Sequence, residues 1–157
     1  MATGKTYVAI SPADRNAGVP RVKAAPEGSS QTYLKGTPVL LSGGYIVAGA
    51  SIPQTIYGFA RVAGQNGASD GAKTASAYRA EAGKLFSGTL GTTLTDSHRG
   101  AKAMLSLSAS SWFLNISTAA SASYNVVIEG WTSNWALGDT NPEVLFSVIP
   151  TKIQGES

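Results

Sequence analysis

The chain has 157 residues, enough for one domain with a single core that buries about two-thirds of the unfolded surface. Gly, Ala, Ser and Thr make up nearly half of it, and charged residues only 13%, against ~25% in ordinary soluble domains. The absence of cysteine excludes a disulfide framework, a thiolate nucleophile and a Cys-ligated zinc. Apolar runs stop far short of the ~20 residues of a membrane helix. No charged stretch followed by an apolar segment marks the start as a secretory signal, so no membrane partner and no signal-driven export are expected.

The net charge of +3 is uneven. Lys5, Arg15, Arg21, Lys23 and Lys35 face only Asp14 and Glu27 in the first 35 residues, and the rest of the chain is balanced. A nucleic-acid binder gathers its cations among stacking aromatics. Here the aromatics lie in the neutral part, so nucleic acid is not an expected partner. The basic stretch reads either as a solvated tail or as an arm laid on an acidic partner surface.

In chain order, Thr6–Ile10 is a short candidate strand. Residues 11–31 hold three Pro, two Gly and only Val19 and Val22 as large aliphatics, without a period of 2 or 3.6, which predicts an irregular extended arm. The division expected is therefore an N-terminal arm over 1–31 and a β domain over 32–157. From Thr32 on, short β-branched and aromatic segments alternate with turn residues, predicting strands at 33–35, 38–41, 45–49, 55–62, 75–80, 85–90, 102–107, 112–116, 124–131 and 143–149. Ser42-Gly43-Gly44, Asn66-Gly67 and Asp70-Gly71 supply turns. The 72–83 stretch has helix-forming residues but no apolar stripe, and reads as an edge strand or irregular segment. The fold class expected is all-β: a small barrel or sandwich of mainly antiparallel strands with an extended N-terminal arm.

Alternation places Tyr124, Val126 and Ile128 inward, opposite Asn125 and Glu129, with Leu145 and either Phe146 or Val148 also buried. The arm contributes few large apolar side chains, so the part from Thr32 to Pro150 is expected to fold without residues 1–30.

Candidate chemistry is sparse. The Gly4-Lys5-Thr6 triplet lacks the remaining glycine and the preceding strand of a phosphate loop. The single histidine, His98, follows Asp96 and Ser97 and reads as part of a turn in which Asp96 caps backbone N–H groups and Gly100 reverses the chain. One His and scattered acids offer no metal set. No catalytic residue, metal or cofactor is expected, and the protein is not expected to be an enzyme. Trp112, Trp131 and Trp135 are the interface candidates among the aromatics: either Trp112 and Trp131 fill the core at strand ends and Trp135 partly covers a loop, or they anchor a protein or sugar contact.

The order of several short blocks resembles the capsid cement or decoration proteins of tailed bacteriophages. The first block is Leu34–Val39, Gly44–Val47 and Ile56–Ala60. The second runs through Gly83–Leu90, Leu94–Asp96 to Gly100, Trp112–Asn115, Val126–Trp131 and Gly138–Pro142 leading into Val144–Phe146. The resemblance implies a structural virion protein without catalytic residue or cofactor. Such a protein is made in the host cytoplasm and placed on the capsid exterior, where it clamps neighbouring capsomers of the major capsid protein. The resemblance leaves a trimer and a dimer open. Because a chain so poor in charge and long apolar side chains has no single patch large enough to grip, a homo-oligomer that presents several arms is expected, with a trimer ahead of a dimer. Lys5, Arg15, Arg21 and Lys23 are then the capsid-contact candidates. The alternative is a carbohydrate- or receptor-binding module of a phage fibre, suggested by Trp131 and Trp135 in a polar loop.

Overall fold

The structure is a computed structural model that describes residues 9–13, 18–108, 111–116 and 123–155. Among the described residues eleven strands form two antiparallel sheets: β1 Ser11–Ala13, β2 Val22–Pro26, β3 Pro38–Ser42, β4 Tyr45–Ala48, β5 Gly58–Ala60, β6 Thr74–Arg79, β7 Leu85–Thr89, β8 Lys102–Ser108, β9 Ser111–Asn115, β10 Val126–Trp131 and β11 Glu143–Val148. The first sheet has the order β1-β7-β11-β10-β8-β9 and the second β2-β6-β5-β3-β4. The all-β expectation holds, and the arrangement is a sandwich rather than a barrel. Both sheets curl until distant parts meet. Leu90, just past β7, makes an isolated parallel bridge to Leu114 of β9, and Glu27, just past β2, makes one to Ile46 of β4. Single bridges of this kind bend a sheet without closing it.

Each curled sheet encloses its own cluster. Phe86, Leu90, Leu105, Leu114, Val126, Ile128, Val144, Phe146 and Val148 fill the first, together with Ile10, Ile56, Phe59 and Ile153. The second holds Tyr33, Val39, Ile46, Ala60, Ala75 and Ala77. Alanine suits this second hollow, because five short strands bent that tightly leave little room between them. The small-residue bias of the sequence is in part the packing requirement of β6. Phe59 of β5 bridges the two: its ring lies 4.5 Å from Phe86 and 5.9 Å from Phe146, centroid to centroid.

Every predicted segment from 38–41 onward contains an observed strand. Residues 33–35 do not form one, because Tyr33 turns into the second cluster while Leu34 is exposed and accepts the Thr37 N–H in a tight turn. Gly43 and Gly44 have φ of 58° and 90°, the mirror-image turn that joins twisted strands, as the Ser42-Gly43-Gly44 signal predicts. Two expectations are corrected. Residues 11–31 are not wholly irregular: β1 pairs with β7 and β2 with β6 along all five of its residues. In consequence β6 is not an edge strand, because β2 lies between it and solvent. Thr6, Val8 and most of the predicted first strand lie outside the described residues.

The inward set is right for Val126, Ile128, Leu145, Phe146 and Val148, all buried, while Tyr124 is only half-buried. Asn125 was expected outward and is instead fully buried. Its side chain accepts the Leu105 N–H at 2.8 Å and donates to the Pro53 carbonyl at 2.9 Å. A buried amide is tolerated because both ends are satisfied.

The C-terminal segment ties the second sheet to the rest. After the 3-10 turn Pro150–Lys152, Ile153 bridges to Ile56, and the Gln154 side chain accepts the Leu41 N–H at 2.7 Å and donates to the Leu41 carbonyl at 2.8 Å. The amide thus continues the ladder where β5 ends beside β3. Arg79 donates to the carbonyls of Tyr57, Ala80 and Gln154 from a guanidinium stacked 4.2 Å above the Tyr57 ring. Gln154→Ala strands both Leu41 groups and is expected to cost about 1–3 kcal/mol in urea unfolding. A loss below about 0.5 kcal/mol would mean that water replaces the amide without penalty.

Candidate functional site

Two turns shape a groove between the sheets. Residues 30–34 run beneath the end of β4, held by the Gln31 side chain, whose oxygen accepts the Ala48 N–H at 2.9 Å. On the opposite side the Leu107 N–H donates to the Ser51 carbonyl at 3.1 Å, which docks the β8–β9 hairpin against the 49–55 loop. Between them lies a groove of about 310 Å³, walled by Tyr33, Leu34, Thr37, Ala48, Leu107 and Trp112 among others. It therefore spans the seam of the two sheets. Leu34 and Leu107 stand 56% and 42% exposed at its rim, apolar side chains that neither cluster uses.

The interior that holds Tyr33 is polar and satisfied. Glu27 is 1% exposed, and its carboxylate accepts the Gln65 N–H at 2.8 Å and the Tyr33 hydroxyl at 3.3 Å. Burial first, and then the charge of Glu27 and its hydrogen bond, push the Tyr33 hydroxyl well above the usual tyrosine range. Tyr33 therefore stays a neutral donor throughout the physiological range and fixes the segment that carries Leu34.

The sequence-predicted residues are dispersed. Lys5 and Arg15 lie outside the described residues. Arg21 precedes β2 and makes a two-pronged ion pair with Glu81, at 2.9 and 3.0 Å. That hydrogen-bonded pairing holds the Glu81 carboxyl below its usual range and occupies the guanidinium. Lys23 is exposed on β2. Trp112 belongs to the first cluster and also reaches the groove, so core and surface roles meet in one side chain. Trp131 and Trp135 pack half-buried against that cluster. The Arg99 guanidinium lies 4.3 Å from the Trp131 ring centroid, over the face a sugar would stack on. Sequence reasoning missed Leu34 and Leu107 as surface features. Each sits in an ordinary apolar pattern, and only the turn at Thr37 and the hairpin's docking turn them outward.

His98 ends the 3-10 turn Asp96–His98. The expected capping by Asp96 is corrected: the imidazole Nδ1 itself accepts the Thr95 N–H at 3.2 Å, while Gly100, with φ of 81°, reverses the chain as expected. Burial lowers the His98 pKa from the ordinary 6.5. The unfolded chain then binds the proton more readily than the folded one. Stability from this group is complete above about pH 6.5 and falls as the pH drops towards the lower folded value. His98→Gln keeps an acceptor for Thr95 and is expected to flatten the decline in thermal midpoint between about pH 7 and about pH 5. An unchanged slope would place the acid sensitivity elsewhere. Among the described residues no group of three or more His, Cys, Asp or Glu is placed to hold a metal ion. No family model, curated protein or solved structure matches the chain.

Proposed function

We propose that the chain is a structural virion protein that binds the outer surface of a phage capsid and stabilises contacts between capsomers. The observation that carries the reading is the order of the sequence blocks that resemble cement proteins: the first block ends on β3, β4 and β5, and the second supplies β7, β9, β10 and β11. The seam groove gives this body an apolar contact point, with Leu34 and Leu107 at the rim and Trp112 in the wall. A stable contact needs roughly 1,200 Å² or more of buried surface, more than one such groove offers. Homo-oligomerisation, as a trimer ahead of a dimer, supplies the remainder by engaging several contacts at once. The sugar-binding alternative has no observation in its favour, since Arg99 lies over Trp131.

The test uses purified capsids of the virus that encodes the chain, with oligomeric mass measured by light scattering. The protein should co-sediment to a fixed copy number. Leu34→Asp with Leu107→Asp changes two exposed positions and should weaken occupancy by about tenfold or more, because two apolar side chains lose their burial. Saturable binding on a glycan array without capsid binding would overturn the reading.

A further inference from the structure

The open edge of the second sheet is β2, and its hydrogen-bonding direction can be read from its flanks. Arg79 N–H donates to the Arg21 carbonyl at 2.7 Å, and Glu27 N–H donates to the Lys73 carbonyl at 2.8 Å. Antiparallel ladders bond alternate residues. Lys23 and Ala25, in register with Ala77 and Ala75, therefore also bond inward; among the described residues Val22 and Ala24 leave their backbone groups unpaired, while at Pro26 the edge meets β4 through the bridge from Glu27 to Ile46. That edge offers the N–H groups and carbonyls of Val22 and Ala24. Val22, Lys23 and Ala24 are all exposed, Val22 to 50%. The Lys23 amine has no ion-pair or hydrogen-bond partner among the described residues, whereas neighbouring Arg21 is held by Glu81.

We propose that β2 is a docking edge for an extended acidic segment of another protein, which adds to the second sheet as an antiparallel strand with a carboxylate opposite Lys23. This stands apart from the virion reading, since the edge has the same chemistry whichever protein supplies the strand. A second copy of this chain is the poorer occupant. Two-fold pairing centred on Lys23 sets that lysine against its own copy, and centring on Val22 sets it against Arg21. Like charges directly opposite one another are unfavourable. Centring on Ala24 puts Pro26, which has no N–H, opposite Val22. An acidic strand meets none of these obstacles, and Pro26 limits it to a short register beside Val22–Ala24.

The probe is acetyl-Thr-Val-Glu-Val-Thr-amide, titrated into the isotopically labelled full chain and followed by backbone amide shifts, with the Glu-to-Lys peptide as counterpart. Shifts should centre on Val22 and Ala24, and the acidic peptide should bind about tenfold more tightly than the basic one. Lys23→Glu should invert that preference. Ala24→Pro removes one outward donor without touching an inward bond, and should weaken binding about tenfold with an unchanged thermal midpoint. If that variant loses stability, N-methylation of the peptide's two valines, which lie opposite Val22 and Ala24, provides the same loss of hydrogen bonds from the other side. Equal binding of the two peptides, or shifts away from β2, would overturn the proposal. So would concentration-dependent dimerisation that Ala24→Pro abolishes, which would identify a second copy as the occupant.

Discussion

Phe59→Ala is expected to lose about 3–5 kcal/mol in equilibrium unfolding, a large share of the stability of a domain this size. The ring is fully buried, and it is the second sheet's main contribution to the first sheet's core. It tilts against Phe86 at 4.5 Å and meets Phe146 edge-on at 5.9 Å, geometries that add to simple burial. The neighbouring residue shows how closely that position is set: a Cβ on Gly58 would lie 2.3 Å from the Tyr78 carbonyl oxygen, so β5 approaches β6 at a distance only glycine permits. Phe59→Leu keeps most of the volume and should cost less than about 1.5 kcal/mol, and Val62→Ala, at an exposed site, should stay within about 0.5 kcal/mol. A loss below about 1.5 kcal/mol for Phe59→Ala would mean that the two sheets are coupled elsewhere, through Ile56, Ile153 and the Gln154 amide.

The strands of the second half were legible because their signals are local. Val126–Trp131 and Glu143–Val148 are rich in β-branched and aromatic residues and bounded by turn residues, so the sequence marks them whatever surrounds them. β1 and β2 were illegible for the opposite reason. Ser11-Pro12-Ala13 and Val22-Lys23-Ala24-Ala25-Pro26 have no alternation and carry proline, and they are strands because β7 and β6 offer a ladder to join. Asn125 misled the face assignment in the same way. Its polarity reads as outward until the Leu105 N–H and the Pro53 carbonyl, distant in sequence, are brought to its amide.

The surface was less legible than the fold. Charge counting marks Arg21 and Lys23 equally, and the fold separates them by placing Glu81 beside only one. Aromatic counting leaves Trp131 and Trp135 open between core and interface, and the fold packs both half-buried on the core. The groove at Leu34 and Leu107 joins residues from both sheets, so no window of sequence contains it.

Deleting residues 1–30 is expected to destabilise the protein severely, reversing the expectation from sequence that this stretch is dispensable. The deletion removes Ile10, which is 2% exposed in the first cluster, and Glu27, which anchors Tyr33 and Gln65 and bridges to Ile46. It also strips β1 from β7 and β2 from β6, leaving two bare edges. Burying an isoleucine contributes about 1.5–3 kcal/mol, and each ladder hydrogen bond about 0.5–1.5 kcal/mol more. A shorter deletion of residues 1–13 takes Ile10 and β1 but spares β2, and should lose about 2–4 kcal/mol. The longer one should lose more than that and aggregate through the edge of β6. Urea unfolding and sedimentation velocity on the two truncations check the order of these effects, and full stability of the longer one would show that β1 and β2 are appended to a core that does not need them. The consequence for function is practical: loss of partner binding in a truncated chain reports unfolding. The grip of the N-terminal stretch must therefore be measured with point changes such as Lys23→Glu, which leave both edge strands in place.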